Sequence, residues 1–210
     1  MIKKNWKILI ITSVVIILPI LAGIVLWDKL PEQIPTHWNV AGEIDGWSSK
    51  AFAVFFLPLF MLAMQWVCVF ATLSDPKKKN HTDKILHLVF WLVPIMSILL
   101  SAICFSVAMG KEVQVEVVAP VFVGLLFVII GNYLPKCQQN YTIGIKIPWT
   151  LNSEENWNRT HRTAGWVWVL GGLAVILAGF FKLFWLMAAV FLVMVLVPFV
   201  YSYILHRKGK

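Results

Sequence analysis

Two polar stretches of this chain carry side chains that could do chemistry. The first, residues 28–51 (DKLPEQIPTHWNVAGEIDGWSSKA), holds His37, Glu43 and Asp45. Three such groups could ligate a metal, but their spacing matches no strong metal-site pattern. A turn-rich cap, its polar groups bonded to the backbone, is the plainer expectation for a segment punctuated by Pro31, Pro35, Gly42 and Gly46. The second stretch, from Gly131 to Trp166, reads GNYLPKCQQNYTIGIKIPWTLNSEENWNRTHRTAGW. Its middle is extended and broken by Gly and Pro; a helix is expected to follow, opened by Asn152 and Glu155 at capping-box spacing. At the helical period Trp157, Thr160, His161 and Ala164 share one face, and Glu155, Arg159 and Arg162 share the opposite one. Glu155 and Arg159 stand in the favourable i to i+4 order. This predicts an amphipathic helix lying at a membrane surface, whose basic face meets either anionic head groups or a docked protein.

The elements holding these stretches are apolar runs. The chain has 210 residues, 60% of them hydrophobic and 13% charged. The mean hydropathy is +0.79, and a soluble domain would be roughly a quarter charged. Six runs are long enough to cross a bilayer as helices: Ile8–Trp27, Phe52–Leu73, Ile85–Met109, Val117–Pro135, Ala164–Phe181 and Leu183–Leu205. The fold class predicted is therefore an all-α polytopic membrane protein with six transmembrane helices. By span count it divides into a two-span unit, residues 1–84, with an extracellular loop at 28–51, and a four-span unit, residues 85–210, with a cytoplasmic loop at 136–163. The last two spans must meet in a tight hairpin at Gly179–Leu183. Within the fifth, Gly171, Ala174 and Ala178 form a small-residue face suited to close helix packing.

Both termini are placed in the cytoplasm by the basic residues. Of the 18 Lys and Arg, only Lys29, Lys50, Lys111 and Lys182 then fall outside. The formal charge of +8 is distributed as orientation charges in short connectors, which argues against direct nucleic-acid binding. Tryptophans lie near the predicted boundaries: Trp6, Trp149, Trp157 and Trp166 on the inner side, Trp27, Trp38, Trp47 and Trp185 on the outer. Interfacial anchoring is their expected role. Cys68 and Cys104 fall within spans and Cys137 borders one, so no disulfide framework is implied.

No Asp, Glu, Lys or Arg lies inside any of the six runs. Proton relays and ion-coupled transporters place ionisable groups at membrane depth, and intramembrane metalloproteases carry a His-Glu-x-x-His helix that this chain lacks. An enzyme or proton-coupled pump is disfavoured, and no catalytic residue, metal or cofactor is expected. Gln65, Ser97, Ser101, Ser106 and Asn132 are among the polar groups left at depth. They suit bonds across helices, or the lining of a passive path for a small apolar or peptide substrate between spans that carry Pro19, Pro58, Pro94, Pro120 and Pro198.

The second stretch resembles the signature of the SdpI family of bacterial membrane immunity proteins at Asn140, Gly144, Ile145, Lys146, Pro148, Trp149, Thr150, Leu151, Trp157, His161 and Gly165. The first is similar to a small domain of unknown function that often precedes that signature. The resemblance implies a cell-membrane protein that protects its own cell from a secreted peptide toxin. It also implies a receptor that draws a cytosolic transcriptional repressor to the membrane. On that reading Asn140, Gly144, Lys146, Pro148, Trp149, Thr150, Trp157, Arg159, His161 and Arg162 hold the partner, and His37, Trp38, Asn39, Gly42 and Asp45 face the toxin.

Overall fold

A computed structural model describes Ile2–Gly209, with side chains from Asn5 onward. The chain runs α1 (Ile2–Val25), β1 (Gln33–Trp38), β2 (Ile44–Ser49), a single π-helical turn (Phe52–Phe56), α2 (Leu57–Leu73), α3 (Asp83–Ala108), α4 (Val115–Tyr133), α5 (Pro148–Asn152), α6 (Glu154–Phe180) and α7 (Phe184–Arg207). Pro58, which has no N–H to continue the helical ladder, stands second in α2, two residues past the π turn. Six of these segments are long and apolar enough to cross a membrane: Asn5–Val25, Phe52–Leu73, Asp83–Ala108, Val115–Lys136, Glu154–Phe180 and Phe184–Arg207. Their outward faces are apolar and exposed, as a lipid-facing surface must be: Leu170, Leu173, Leu177, Leu192, Val195 and Phe199 are all exposed.

Two expectations need correction. The protein is mostly helical rather than all-α, because the first connector is an antiparallel β-hairpin pairing Gln33 with Ser49, Ile34 with Ser48, Pro35 with Trp47, His37 with Gly46 and Trp38 with Ile44. And no separate amphipathic helix lies on the surface before the fifth span. The segment is the first turns of α6, one continuous helix of 27 residues. Its cap is Ser153, whose hydroxyl accepts from the Asn156 N–H, and not the Asn152–Glu155 box.

By packing, the chain forms two units that interleave along the sequence: residues 1–73 with 86–115, and 74–85 with 116–210. In the first unit, Leu30, Ile34, Ala53, Val54, Cys104 and Phe105 form a buried cluster on which Trp27 and Trp38 pack. This roots the hairpin. Deeper, the Gln65 amide donates to Thr12 Oγ1 (3.1 Å) and the Phe90 carbonyl (3.0 Å), and the Ser97 hydroxyl donates to the Ile16 carbonyl (2.9 Å). These are the cross-helix bonds expected of polar groups in an apolar setting.

In the second unit the small-residue face of α6 makes internal contacts on two sides. A Cβ on Gly171 would lie 2.4 Å from Met194 Sδ of α7, and one on Gly172 would lie 2.5 Å from the Gly124 carbonyl of α4. Further along the same helix pair, a Cβ on Gly165 would lie 2.6 Å from Pro135 Cγ. Backbones this close leave no room for side chains. The turn between α6 and α7 closes with Leu183 N–H on the Ala178 carbonyl (2.8 Å) and Lys182 N–H on the Gly179 carbonyl (3.1 Å). Lys182 takes the left-handed conformation, φ 54°, that Gly usually fills, and its ammonium pairs with Glu116 at 2.9 Å.

Candidate functional site

The connector from Lys136 to Ile147 has no strand and, beyond its first residue, no helix to satisfy its backbone. Several of its N–H groups instead find side chains, which is why the signature residues Asn140, Thr150 and His161 are polar and buried. Asn140, fully buried, accepts from the N–H of Thr142 (2.9 Å) and of Ile143 (2.7 Å) through Oδ1. Its amide donates to the carbonyls of Gln138 (2.8 Å) and Ile143 (3.0 Å). Ile147 N–H reaches Thr150 Oγ1 (3.1 Å), and the same hydroxyl donates to the Ile145 carbonyl (2.8 Å). That closes the start of α5, where Pro148 occupies the first helical position that tolerates it.

The face of α6 bearing Trp157, Thr160, His161 and Ala164 is entirely internal. Trp157 Nε1–H donates to the Cys137 carbonyl (2.7 Å), and its ring stacks on His161 with centroids 4.0 Å apart. His161 Nδ1 lies 2.8 Å from the Trp157 carbonyl and Nε2 lies 2.9 Å from the Ile145 nitrogen. A carbonyl can only accept and an N–H can only donate. The neutral tautomer with the proton on Nδ1 satisfies both. Gly144 makes this possible: its φ is +116°, and a Cβ there would sit 2.4 Å from His161 Nε2. Trp157 is thus an internal strut rather than the membrane anchor expected of it.

Trp149 fastens α5 to α7. Its Nε1–H donates to the Ser202 hydroxyl, and its ring meets Phe199, Tyr203 and His206 at 5.6–5.8 Å. Asn156 Nδ2–H takes the Ser202 carbonyl (3.0 Å). Beside Trp149 an open cavity of about 500 Å³ is lined by Pro148, Asn152, Ser153, His206 and Gly209.

The second contributor to the site is the short connector between α2 and α3, which pattern reading did not single out. Asp75 accepts from Lys77 N–H (2.7 Å) through Oδ1, and from Tyr141 N–H (2.9 Å) and the Thr142 hydroxyl (2.8 Å) through Oδ2. His81 Nε2 stands 3.3 Å from the same oxygen. Burial pushes this carboxyl up, but the bonds from Thr142, Lys77 and Tyr141 and the nearby His81 outweigh it and hold the group below its usual range. Gln139 is bonded by Lys77 and Asn80 and itself donates to the carbonyls of Thr150 (2.8 Å) and Leu151 (3.0 Å). Cys137 lies beneath the connector, and burial pushes its thiol up to about 11. The signal for Asp75 was weak: an acidic residue followed by Pro76 and three lysines reads as a solvated turn.

Of the residues singled out beforehand in this connector, Asn140, Thr150, Trp157 and His161 are brought together in the interior, with Gly144 packed on them. Pro148 and Trp149 border the cavity. Lys146, Arg159 and Arg162 are exposed: Lys146 Nζ–H donates to the Thr142 carbonyl (2.9 Å), and Arg159 pairs with Glu155 at 2.8 Å. Glu154, Glu155, Asn158, Arg159 and Arg162 line a shallow depression of about 460 Å³.

The residues singled out in the first connector cluster separately, on the hairpin. Asn39 closes its tip, accepting from the N–H of Ala41 (2.9 Å) and Glu43 (3.0 Å) and donating to the Glu43 carboxylate (2.9 Å), while Gly42 takes φ +82°. His37 Nδ1 and Asp45 Oδ1 lie 2.5 Å apart on the exposed face. The Glu43 carboxylate is thereby taken up by the Asn39 side-chain amide. Trp38 packs inward on the first unit's cluster, and Trp47 is exposed.

Six apolar helices, with polar structure concentrated in a hairpin and a side-chain-braced connector, define a polytopic membrane protein. Residues 136–202 match the SdpI/YfhL protein family, and residues 14–62 match the domain of unknown function DUF1648; the chain carries an SdpI/YfhL-family region in its second half, with a DUF1648 region before it. It is similar to Immunity protein SdpI of Bacillus subtilis (strain 168), 29% identical over 179 residues, which cover 85% of this chain and 83% of the relative. No solved structure is a significant match.

Proposed function

We propose that this protein is a membrane immunity protein: it protects its cell from a secreted antimicrobial peptide and also serves as a receptor that holds a cytosolic transcriptional repressor at the membrane. The observation carrying the reading is the similarity to Immunity protein SdpI across both matched regions, since it spans hairpin and signature connector alike. The excess of Lys and Arg on one set of connectors supports cytoplasmic termini, an extracellular hairpin and a cytoplasmic signature connector.

On this reading the toxin meets the hairpin at His37, Asn39, Gly42 and Asp45, with Trp38 holding the strand that carries them. The repressor meets the exposed residues of the signature connector and α6: Lys146, Arg159 and Arg162. The buried members, Asn140, Gly144, Thr150, Trp157 and His161, act by fixing the shape of that face, and Pro148 and Trp149 by fixing α5. Expression in a toxin-sensitive cell, with survival and a repressor-controlled reporter read in parallel, tests both halves. Survival on exposure to the cognate peptide is expected. No protection against any secreted peptide encoded beside this chain would overturn the immunity reading. Unchanged reporter output would overturn the receptor reading.

A further inference from the structure

We infer that Asp75, seconded by His81, is the positioning residue of the signature connector, although it lies in a segment that neither matched region covers. The inference rests on the proposed receptor reading for what the connector does, but not for how it is held.

The Asp75 side chain is fully buried. A carboxylate removed from water persists only when its oxygens are bonded. One oxygen serves its own connector, through Lys77 N–H. The other accepts from two donors of the signature connector, Tyr141 N–H and the Thr142 hydroxyl, with His81 Nε2 standing 3.3 Å away. Asp75 therefore joins two loops that are 66 residues apart in sequence. His81 Nε2 also lies 3.3 Å from the Thr142 hydroxyl oxygen, so the ring stands against the same residue that Asp75 holds. His81 Nδ1 is buried without a partner among the described residues, so the ring is held through Nε2 and by its packing.

Asp75 fixes Thr142, and the Thr142 carbonyl in turn receives the Lys146 ammonium. Lys77 lies over the exposed Tyr141 ring, 5.6 Å from its centroid, and bonds Gln139. The carboxylate thus determines where two cations and one aromatic ring of the exposed face stand, without reaching that face. The titratable and charged groups around Asp75 are His81 and Lys77 from its own connector, and Tyr141 and Lys146 from the other. Asp83 opens α3 in the same segment and His81 stands 3.3 Å from the carboxylate, so acid-dependent opening of this junction is assigned to Asp75 by its loss in Asp75→Asn.

The test is hydrogen exchange on the full chain in lipid nanodiscs, read at residues 139–146, with reporter output from the same variants. Asp75→Asn keeps the volume and removes one acceptor oxygen, leaving Tyr141 and Thr142 short of a partner. Exchange in this segment is expected to speed up roughly ten- to hundredfold, the loss of hydrogen bonds to a charged group, while exchange in the centres of α6 and α7 stays unchanged. In the unaltered protein, protection corrected for intrinsic rate is expected to fall as pH drops through the carboxylate range. In Asp75→Asn it is flat, a difference that a merely space-filling role would not produce. Thr142→Val, which removes one donor and leaves the carboxylate, gives a smaller, few-fold increase and keeps the test open should Asp75→Asn fail to fold. Faster exchange with lost reporter output supports both positioning and receptor reading. Faster exchange with output intact supports the positioning and overturns the docking face. Exchange as in the unaltered protein overturns the positioning, whatever the output.

Discussion

Gly144→Ala isolates the contact on which the buried half of the site turns. The substitution meets two separate penalties. At φ +116° an alanine is strained, by about 1–2 kcal/mol for a left-handed residue. Its Cβ would also lie 2.4 Å from His161 Nε2 and 3.1 Å from the Trp157 ring. Both rings are buried and stacked, so neither can yield freely. The imidazole must leave Ile145 N–H, and an unmade buried bond costs about 1–3 kcal/mol more. The expected destabilisation is about 2–5 kcal/mol, felt first as opening of the connector over Cys137. Gly110→Ala is the matched control, because Gly110 has φ +78° but nothing within 4 Å of its added Cβ. The assay is the rate at which a fluorogenic maleimide modifies Cys137 in a Cys68→Ser, Cys104→Ala background. Roughly thirtyfold or faster labelling is expected for Gly144→Ala, and an unchanged rate for Gly110→Ala. Equal labelling of Gly144→Ala and the parent would refute the packing of Trp157 and His161 on this glycine.

Trp157→Ala removes a fully buried ring and its bond to the Cys137 carbonyl, and should cost about 3–5 kcal/mol in a denaturant titration in detergent. Arg159→Ala with Arg162→Ala acts only on exposed groups; their one ion pair is worth at most about 1 kcal/mol, so the thermal midpoint should hold while repressor-controlled output is lost. Gln65→Ala deletes the bonds to Thr12 and Phe90 and should lower stability by about 1–3 kcal/mol without altering survival under toxin; proteoliposome flux that vanished with this change would favour a passive transporter instead. The depressed carboxyl of Asp75 contributes stability that is complete above the model-peptide range and lost as pH falls through the lower folded value. Acid titration of the connector's exchange protection should therefore show a low-pH limb that Asp75→Asn removes.

Membrane spans were legible because lipid imposes its requirement residue by residue: a run of apolar side chains about 20 long satisfies it locally. The face of α6 was legible for a similar reason, since Trp157, Thr160, His161 and Ala164 share a period. The fate of that helix was not. Reading its start from hydropathy placed a boundary near Ala164, whereas hydropathy marks where water ends and the Ser153 cap marks where the helix begins. The hairpin was missed because Pro35 and Gly46 read locally as turns, while the pairing of Pro35 with Trp47 depends on a partner strand. The glycine stripe of α6 pointed to close packing, but only the folded chain names Met194, Gly124 and Pro135 as what it packs on.

By itself, the amino-acid sequence determined the span pattern, the two polar connectors and the signature carried by the second of them. Each follows from composition or short-range spacing. Tertiary structure alone decided which signature residues are surface and which are frame, and it alone brought Asp75, His81 and Gln139 into the site. The hydrogen bond between Asp75 and Thr142 joins residues 67 positions apart. No local period encodes such a bond, because it exists only after two loops have been carried to the same end of their helices.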